Sequence, residues 1–213
     1  GASNHVRDRK TTFHHALPPV SDAEEAADGI IRALQQAGFQ AFRVGGAVRD
    51  RLLGRAVKDV DVATGAPPAA VRELFPKTFA VGEAFGVVIV HTAQGHDVEV
   101  ATFRTEGGYA DGRRPSHIAV SDPETDVRRR DFTINALFYD PVSEQLADFA
   151  DGLRDLRRGV LRTIGPPERR FAEDYLRMVR AVRFAASLRF ELHEHTRRAI
   201  PPLADRLAQI SAE

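Results

Sequence analysis

Asp59 and Asp61, in the run Lys58-Asp59-Val60-Asp61-Val62, are of the type and spacing that could do chemistry. Residues two apart in a strand leave the same face with Cα atoms about 6.5 Å apart, so two hard oxygen donors stand together. Such a pair suits Mg2+, which takes one or two carboxylates and completes its shell with water and substrate phosphates. Val60 and Val62 alternate with them and supply the buried face of the same strand. Just upstream, Phe42-Arg43-Val44 enters Gly45-Gly46, and a short helical piece carrying Arg49 and Asp50 ends at Gly54. Without side chains, Gly45 and Gly46 let the backbone approach an anion and aim N–H groups at it, aided by the positive end of the following helix. This is a layout for handling phosphate beside a metal ion.

Further along, Arg130 in Arg129-Arg130-Asp131-Phe132-Thr133-Ile134-Asn135 offers a planar, permanently charged fork to phosphate oxygens. Asp131 and Asn135 lie one helical turn apart, a spacing suited to gripping a ribose or bracing a metal site. Asp174 and Arg177 are three apart in a segment, Glu173 to Leu188, whose periodicity predicts a single helix with Leu176, Val179, Val182, Phe184 and Ala185 on its apolar side. On one helix their tips meet, and an acceptor beside a donor can imitate a base edge. Arg180 and Arg183 continue that stripe toward a triphosphate or an RNA end. His193-x-His195 has no partner ligands nearby and is not read as a metal site.

The elements that must position these groups are legible in outline. Ser21 with Glu24 forms a capping box before a helix striped by Ala26, Ile30, Ile31 and Leu34. Strands are expected at Phe39–Val44, around Asp59, at Thr78–Val81, Val87–Thr92 and Val98–Phe103, and at Gln145–Phe149, with a short helix opened by Pro67-Pro68. Thr105 to Ser121, polar and rich in glycine, reads as a long mobile loop. After Asp151-Gly152 the chain turns mainly helical. Residues 1–20, broken by Pro18-Pro19, read as a loose arm with a cloning remnant at its start.

Lys plus Arg and Asp plus Glu both total 30 in 213 residues, so nucleic-acid binding must rest on local clusters of charge, not on an overall positive field. Such clusters occur at Arg128-Arg129-Arg130, Arg157-Arg158, Arg169-Arg170 and onward to Arg183. The absence of cysteine excludes disulfides and thiolate metal sites and fits a reducing compartment. No apolar run approaches membrane-spanning length and no signal-peptide pattern opens the chain, so a cytoplasmic, non-membrane protein is expected.

The Phe42–Thr64 stretch resembles the signature of the nucleotidyltransferases related to DNA polymerase beta. The branch is the one holding bacterial tRNA nucleotidyltransferases (CCA-adding enzymes) and bacterial poly(A) polymerases, and four motifs follow the family's order from about Phe42 to about Phe190. The resemblance implies an α+β fold, a small mixed sheet forming a catalytic head over residues 21–150 and a helical neck over 151–213, with the family's body and tail regions absent. It implies a two-metal Mg2+ site on Asp59 and Asp61, CTP and ATP as substrates, and the tRNA 3′ end as partner. Glu99, just before Thr-Phe-Arg in the family pattern, becomes the third carboxylate in preference to Asp97. Gly45, Gly46, Arg49, Arg130, Asp131, Asn135, Arg180 and Arg183 become nucleotide-binding, while Asp174 and Arg177 read the incoming base. Tyr175 departs from the proline often found there. Val81 to Val87 looks like the tRNA nucleotidyltransferase version, and the segment Tyr109–Pro115 resembles the flexible loop of full CCA-adding and A-adding enzymes. CCA addition is therefore the expected activity. Alternatives are an A-adding or CC-adding relative, a poly(A) polymerase, or a non-catalytic RNA-binding relative.

Overall fold

A computed structural model describes residues 17–80, 82–107 and 117–209. The expected arm falls mostly outside the described residues, and so does the segment Tyr109–Pro115. In chain order the elements are α1 (Asp22–Gln36), β1 (Ala41–Val44), α2 (Gly46–Leu52), β2 (Asp61–Thr64), α3 (Pro68–Leu74), β3 (Thr78–Phe79), β4 (Val87–His91) and β5 (Asp97–Thr102). There follow β6 (Arg104–Gly107), β7 (His117–Val120), α4 (Pro123–Val127), β8 (Leu137–Asp140), β9 (Gln145–Asp148), α5 (Gly152–Arg158) and β10 (Val160–Leu161). The last are α6 (Pro167–Glu173), α7 (Leu176–Leu188), β11 (Glu191–Leu192), α8 (Glu194–Arg198) and a 3-10 stretch, Pro201–Gln209.

Seven strands make one sheet in the order β3-β4-β5-β2-β1-β8-β9. Only β2 and β5 run parallel within it; the other neighbours are antiparallel. One sheet face is covered by α1 and α3, whose Ile30, Ile31, Leu34 and Val71 meet Val60, Val62, Val98 and Val100. The capping box of α1 forms as expected, with Ser21 Oγ accepting from the Glu24 amide and Glu24 Oε1 accepting from the Ser21 amide. On the other face Phe138 meets Phe42 and Phe103 edge to face while Phe42 lies tilted against Phe103, their ring centroids 5.7 to 6.4 Å apart.

Arg43 points from β1 into the α1 layer and is buried. It donates to both carboxylate oxygens of Asp28 and to Glu24 Oε2, and its guanidinium lies 5.2 Å from the centre of the Tyr139 ring. Glu24 also accepts from Arg51 of α2 at 3.3 Å. A buried ion pair is tolerable only when its hydrogen bonds are complete, and this network satisfies the condition while tying α1, β1 and α2 together.

A separate core joins α2, the Thr133–Asn135 turn, β10 and α5 through α8, built on Phe132, Leu137, Leu156, Phe171 and Met178. The Asp151-Gly152 junction is tightly packed: a Cβ on Gly152 would lie 2.2 Å from the Thr133 carbonyl oxygen, and Asp148 accepts from the Gly152 and Leu153 amides.

Three expectations change. Thr105–Ser121 is not wholly loop, because β6 and β7 pair antiparallel from Arg104↔Val120 to Gly107↔His117. The alternation that would have marked this ribbon is hidden by its polar, glycine-rich composition. Glu173–Leu188 is not one helix, since Asp174 adopts φ −147°, ψ 105° and separates α6 from α7. Its carboxylate accepts from the Leu176 amide, an acidic cap that competes with helix continuation. With the phase of α7 reset, its buried side carries Met178, Ala181 and Leu188, whereas Val179 and Val182 are exposed.

Candidate active site

The site is assembled where the middle strands of the sheet meet α2 and α7. In the parallel β2–β5 pair Val62 lies opposite Val100, so one residue earlier on each strand Asp61 stands beside Glu99. Their valine neighbours fill the core, and both carboxylates emerge on the other face. Asp59 lies in the lead-in to β2, on the same side of the exposed–buried alternation through Val60. Desolvation pushes the Asp61 carboxyl up to about 6, with the charge of Glu99 and a smaller push from Asp59 adding to it, against a pull from Arg130. Among the described residues no protein group donates a hydrogen bond or ion pair to Asp59, Asp61 or Glu99. The acids repel one another, and the nearby charge of Arg130 offsets this only in part, as expected where a cation is to bind. Among the described residues, however, no three His, Cys, Asp or Glu side chains form a ready-made metal cage. The trio is an open set of donors, suited to an ion that takes the rest of its shell from substrate.

Gly45 adopts φ 74°, ψ −143° at the start of α2, in the left-handed range that glycine tolerates, and both Gly45 and Gly46 line the cleft. The cleft has a volume of about 560 Å3 and is lined by six arginines and three aspartates, with Phe184 as its aromatic wall. Arg49 is buried, donates to Asn135 Oδ1 at 2.6 Å and to Asp50 at 2.9 Å, and lies 5.1 Å from the Phe184 ring centre. Arg130 pairs with Asp126 at 3.0 Å and lies over Phe138; its burial pulls its proton affinity down while Asp126 pushes it back up. Asp131 accepts from the Phe132 amide, from Asn135 Nδ2 at 3.3 Å and from both Nε and Nη2 of Arg180. The expected Asp131–Asn135 proximity is therefore present, in a 3-10 turn.

The Asp174–Arg177 pairing on one helix is corrected. Asp174 precedes α7 and caps its first amide, while Arg177 is buried and donates to Glu173 Oε2 at 3.0 Å and to the Arg170 carbonyl at 2.9 Å. Both residues still line the cleft, but they come to it from different backbone states. Arg183 is exposed and is not among the cleft-lining residues. Sequence reasoning missed Arg104, Arg129, Phe184 and, beneath them, Asp126 and Glu173. Asp126 is fully buried, pairs with Arg129 at 2.8 Å as well as Arg130, and accepts from the Arg104 amide at 2.9 Å. Its signal was the spacing of three and four residues to those arginines.

A mixed sheet bearing acidic residues beside a glycine-turned helix, facing an arginine-lined cleft against a helical layer, defines the class: an α+β head of the polymerase-beta-like kind. Residues 41–162 match the family model described as the poly A polymerase head domain, and the chain belongs to that family. It is similar to the CCA-adding enzymes of Lactobacillus helveticus (48% identical over 185 residues, 86% of this chain and 46% of that protein) and Geobacillus stearothermophilus (48% over 198 residues, 92% and 47%). Among solved structures it resembles the Bacillus stearothermophilus CCA-adding enzyme in complex with CTP, at a TM-score of 0.77 and 43% identity over 86% of this chain and 45% of that one. It also resembles the Thermotoga maritima CCA-adding enzyme complexed with tRNA, at 0.68 and 27% over 83% and 40%. The chain spans about half the length of the curated relatives it matches.

Proposed function

We propose that this chain carries the nucleotide-transferring part of a template-independent tRNA nucleotidyltransferase that adds CMP and AMP to the tRNA 3′ end in the cytoplasm and releases pyrophosphate. Residues 21–150 act as the catalytic head and 151–213 as the neck. The observation that carries this reading is Asp61, crowded by Glu99 and Asp59 with only the charge of Arg130 in opposition, on the edge of a cleft whose arginines outnumber its acids. Asp59 and Asp61 fit Mg2+ by donor type and by a charge that Arg130 relieves only in part, and Glu99 completes the acidic edge. Bound there, a divalent ion supplies activation of the RNA 3′-hydroxyl and neutralisation of charge on the departing pyrophosphate.

The remaining work falls to the chain itself. The amides around Gly45 and Gly46, with Arg130, hold phosphate oxygens in place, while Arg49 holds Asn135, and Asp131 holds Arg180, at fixed positions around the ribose. Asp174 and Arg177 present an acceptor and a donor to the base edge, and Phe184 closes the wall. The similarity to enzymes named for CCA addition, one of them solved with CTP and another with tRNA, favours CTP and ATP as substrates.

The test is incorporation of labelled CMP and AMP into tRNA lacking its 3′ end. Asp59→Ala with Asp61→Ala abolishes Mg2+-dependent incorporation while circular dichroism stays unchanged; normal incorporation by that variant rejects the metal assignment. Sequencing the product ends separates full CCA addition from A-only, CC-only and poly(A) addition.

A further inference from the structure

We infer that Glu24 is a positioning residue for phosphate binding: its buried carboxylate clamps both arms of the Gly45–Gly46 turn and so fixes where that turn and Arg49 stand in the cleft. The two arginines it holds flank the turn. Arg43, on β1, donates to Glu24 Oε2 at 2.8 Å, and Arg51, in the last turn of α2, donates to Glu24 Oε1 at 3.3 Å. Oε1 also accepts from the Ser21 amide at 3.0 Å, which anchors the carboxylate to the start of α1. Only 2% of the Glu24 side chain is exposed, and Asp28 receives the rest of the Arg43 guanidinium. The helix being held is seven residues long and has no side-chain cap at its start, so its position depends on tertiary contacts. Successive residues of a helix turn by about 100°, which sends Arg49 and Arg51 out of α2 about 200° apart. Arg49 lines the cleft and donates to Asn135, whereas Arg51 reaches back to α1. The short helix is thereby gripped from opposite sides.

Stability alone is a weak reason for such a clamp, because apolar residues of similar volume often fill a buried ionic site equally well or better. The surroundings are apolar already, with Ala23, Ala27, Ile30 and Ile31 of α1 in the same core. What the charges add is direction: one oxygen toward each arm of the turn resists sliding or rotation of α2 that packed methyl groups would permit. Glu24 touches no phosphate. Its role rests on the reading that Gly45, Gly46 and Arg49 meet the triphosphate, and it adds the group that keeps them in register.

The test is equilibrium dialysis, in Mg2+, of CTP and of inorganic tripolyphosphate as a probe lacking base and ribose. Glu24→Gln keeps the volume and the capping box, which takes Glu or Gln, and removes the charge shared by Arg43 and Arg51. It is expected to weaken both ligands about tenfold, the equivalent of one charge-assisted hydrogen bond. Arg51→Met weakens them about threefold, and Arg51→Lys, which keeps a charged donor for this single bond, restores them to within about twofold. Glu24→Gln combined with Arg51→Met stays within about twofold of Glu24→Gln alone, because both changes break one contact. Val71→Ala, which thins the same core from α3, lowers the thermal midpoint and leaves both affinities unchanged. Hydrogen exchange read by mass spectrometry follows the clamp without ligand: in Glu24→Gln the α2 amides exchange at least about tenfold faster while those of β4 and β5 keep their rates. Unchanged affinities in Glu24→Gln, additive losses in the double variant, no rescue by Arg51→Lys, or an equal loss of affinity in Val71→Ala would each overturn the inference. If Glu24→Gln does not fold, the Arg51 variants, altering a side chain 20% exposed, decide it. An unaltered chain that binds neither CTP nor tripolyphosphate refutes the phosphate reading of the cleft, and the exchange of the α2 amides then decides separately whether Glu24 holds the turn.

Discussion

Asp126 offers the sharpest separation of charge from shape. It is fully buried, pairs with Arg129 and Arg130, and accepts from the Arg104 amide where β5 passes into β6. Asp126→Asn preserves the volume and leaves an oxygen for that amide, so it removes chiefly the negative charge. Arg130, with 14% of its side chain still exposed, then loses its partner, and breaking one side of a buried pair costs about 3–5 kcal/mol. The neutral amide oxygen still accepts weakly, which places the expected cost near the lower end, about 3 kcal/mol. At about 2–4 °C per kcal/mol for a chain of this size, the thermal midpoint falls by about 6–12 °C. Asp126→Ala orphans the Arg104 amide as well and adds about 1–2 kcal/mol. The assay is urea unfolding followed by circular dichroism, with the denaturant slope checked for constancy so that a midpoint shift reports stability alone. In parallel, nucleotide KM is expected to rise about tenfold, as Arg130 loses the anchor that holds its fork toward the phosphates and one charge-assisted bond is weakened by about 1.4 kcal/mol. If Asp126→Asn unfolds within about 1 kcal/mol of the unaltered chain, the buried-pair reasoning is wrong.

Other perturbations read different parts of the structure. The raised Asp61 pKa means that the folded chain binds a proton more tightly than the unfolded one, so its contribution to stability falls as pH rises from about 4 to about 6. Asp61→Asn is accordingly expected to raise the thermal midpoint at pH 8, with the gain vanishing near pH 4; a gain that persists unchanged into acid refutes the repulsion argument. Gly152→Ala forces a methyl group against the Thr133 carbonyl and is expected to destabilise by about 1–3 kcal/mol in the same urea assay, whereas Gly29→Ala within α1, whose Cβ would meet only the Arg32 guanidinium at 4.0 Å, causes no packing clash. Arg180→Ala, losing a half-exposed pair with Asp131, is expected to cost under about 1 kcal/mol of stability while weakening nucleotide binding measured by dialysis. A large loss of stability there would make Arg180 a brace instead of a ligand.

Local rules were sufficient for what depends on neighbours in the chain. The capping box at Ser21 and Glu24, the Gly45 turn, the strand alternation through Val60, Asp61 and Val62, and the helix opened by Pro67-Pro68 all follow from spacing and backbone freedom. The acids were legible because their valine neighbours declare which face is buried. What depends on a distant partner could be read only in three dimensions. Whether Asp174 continues a helix or caps the next one is a competition between its own carboxylate and the backbone bond, and in the folded chain the carboxylate accepts from the Leu176 amide where α6 packs against α7. Arg177 binds Glu173 and the Arg170 carbonyl because burial of its guanidinium demands several acceptors, whereas sequence spacing alone pairs it with Asp174. Nothing near Arg43 in the sequence names its partners; α1 supplies Glu24 and Asp28 to receive it. Sequence patterns prescribe which face a side chain leaves by; the acceptor that makes a buried charge tolerable comes from elsewhere in the chain, and only the folded arrangement identifies it.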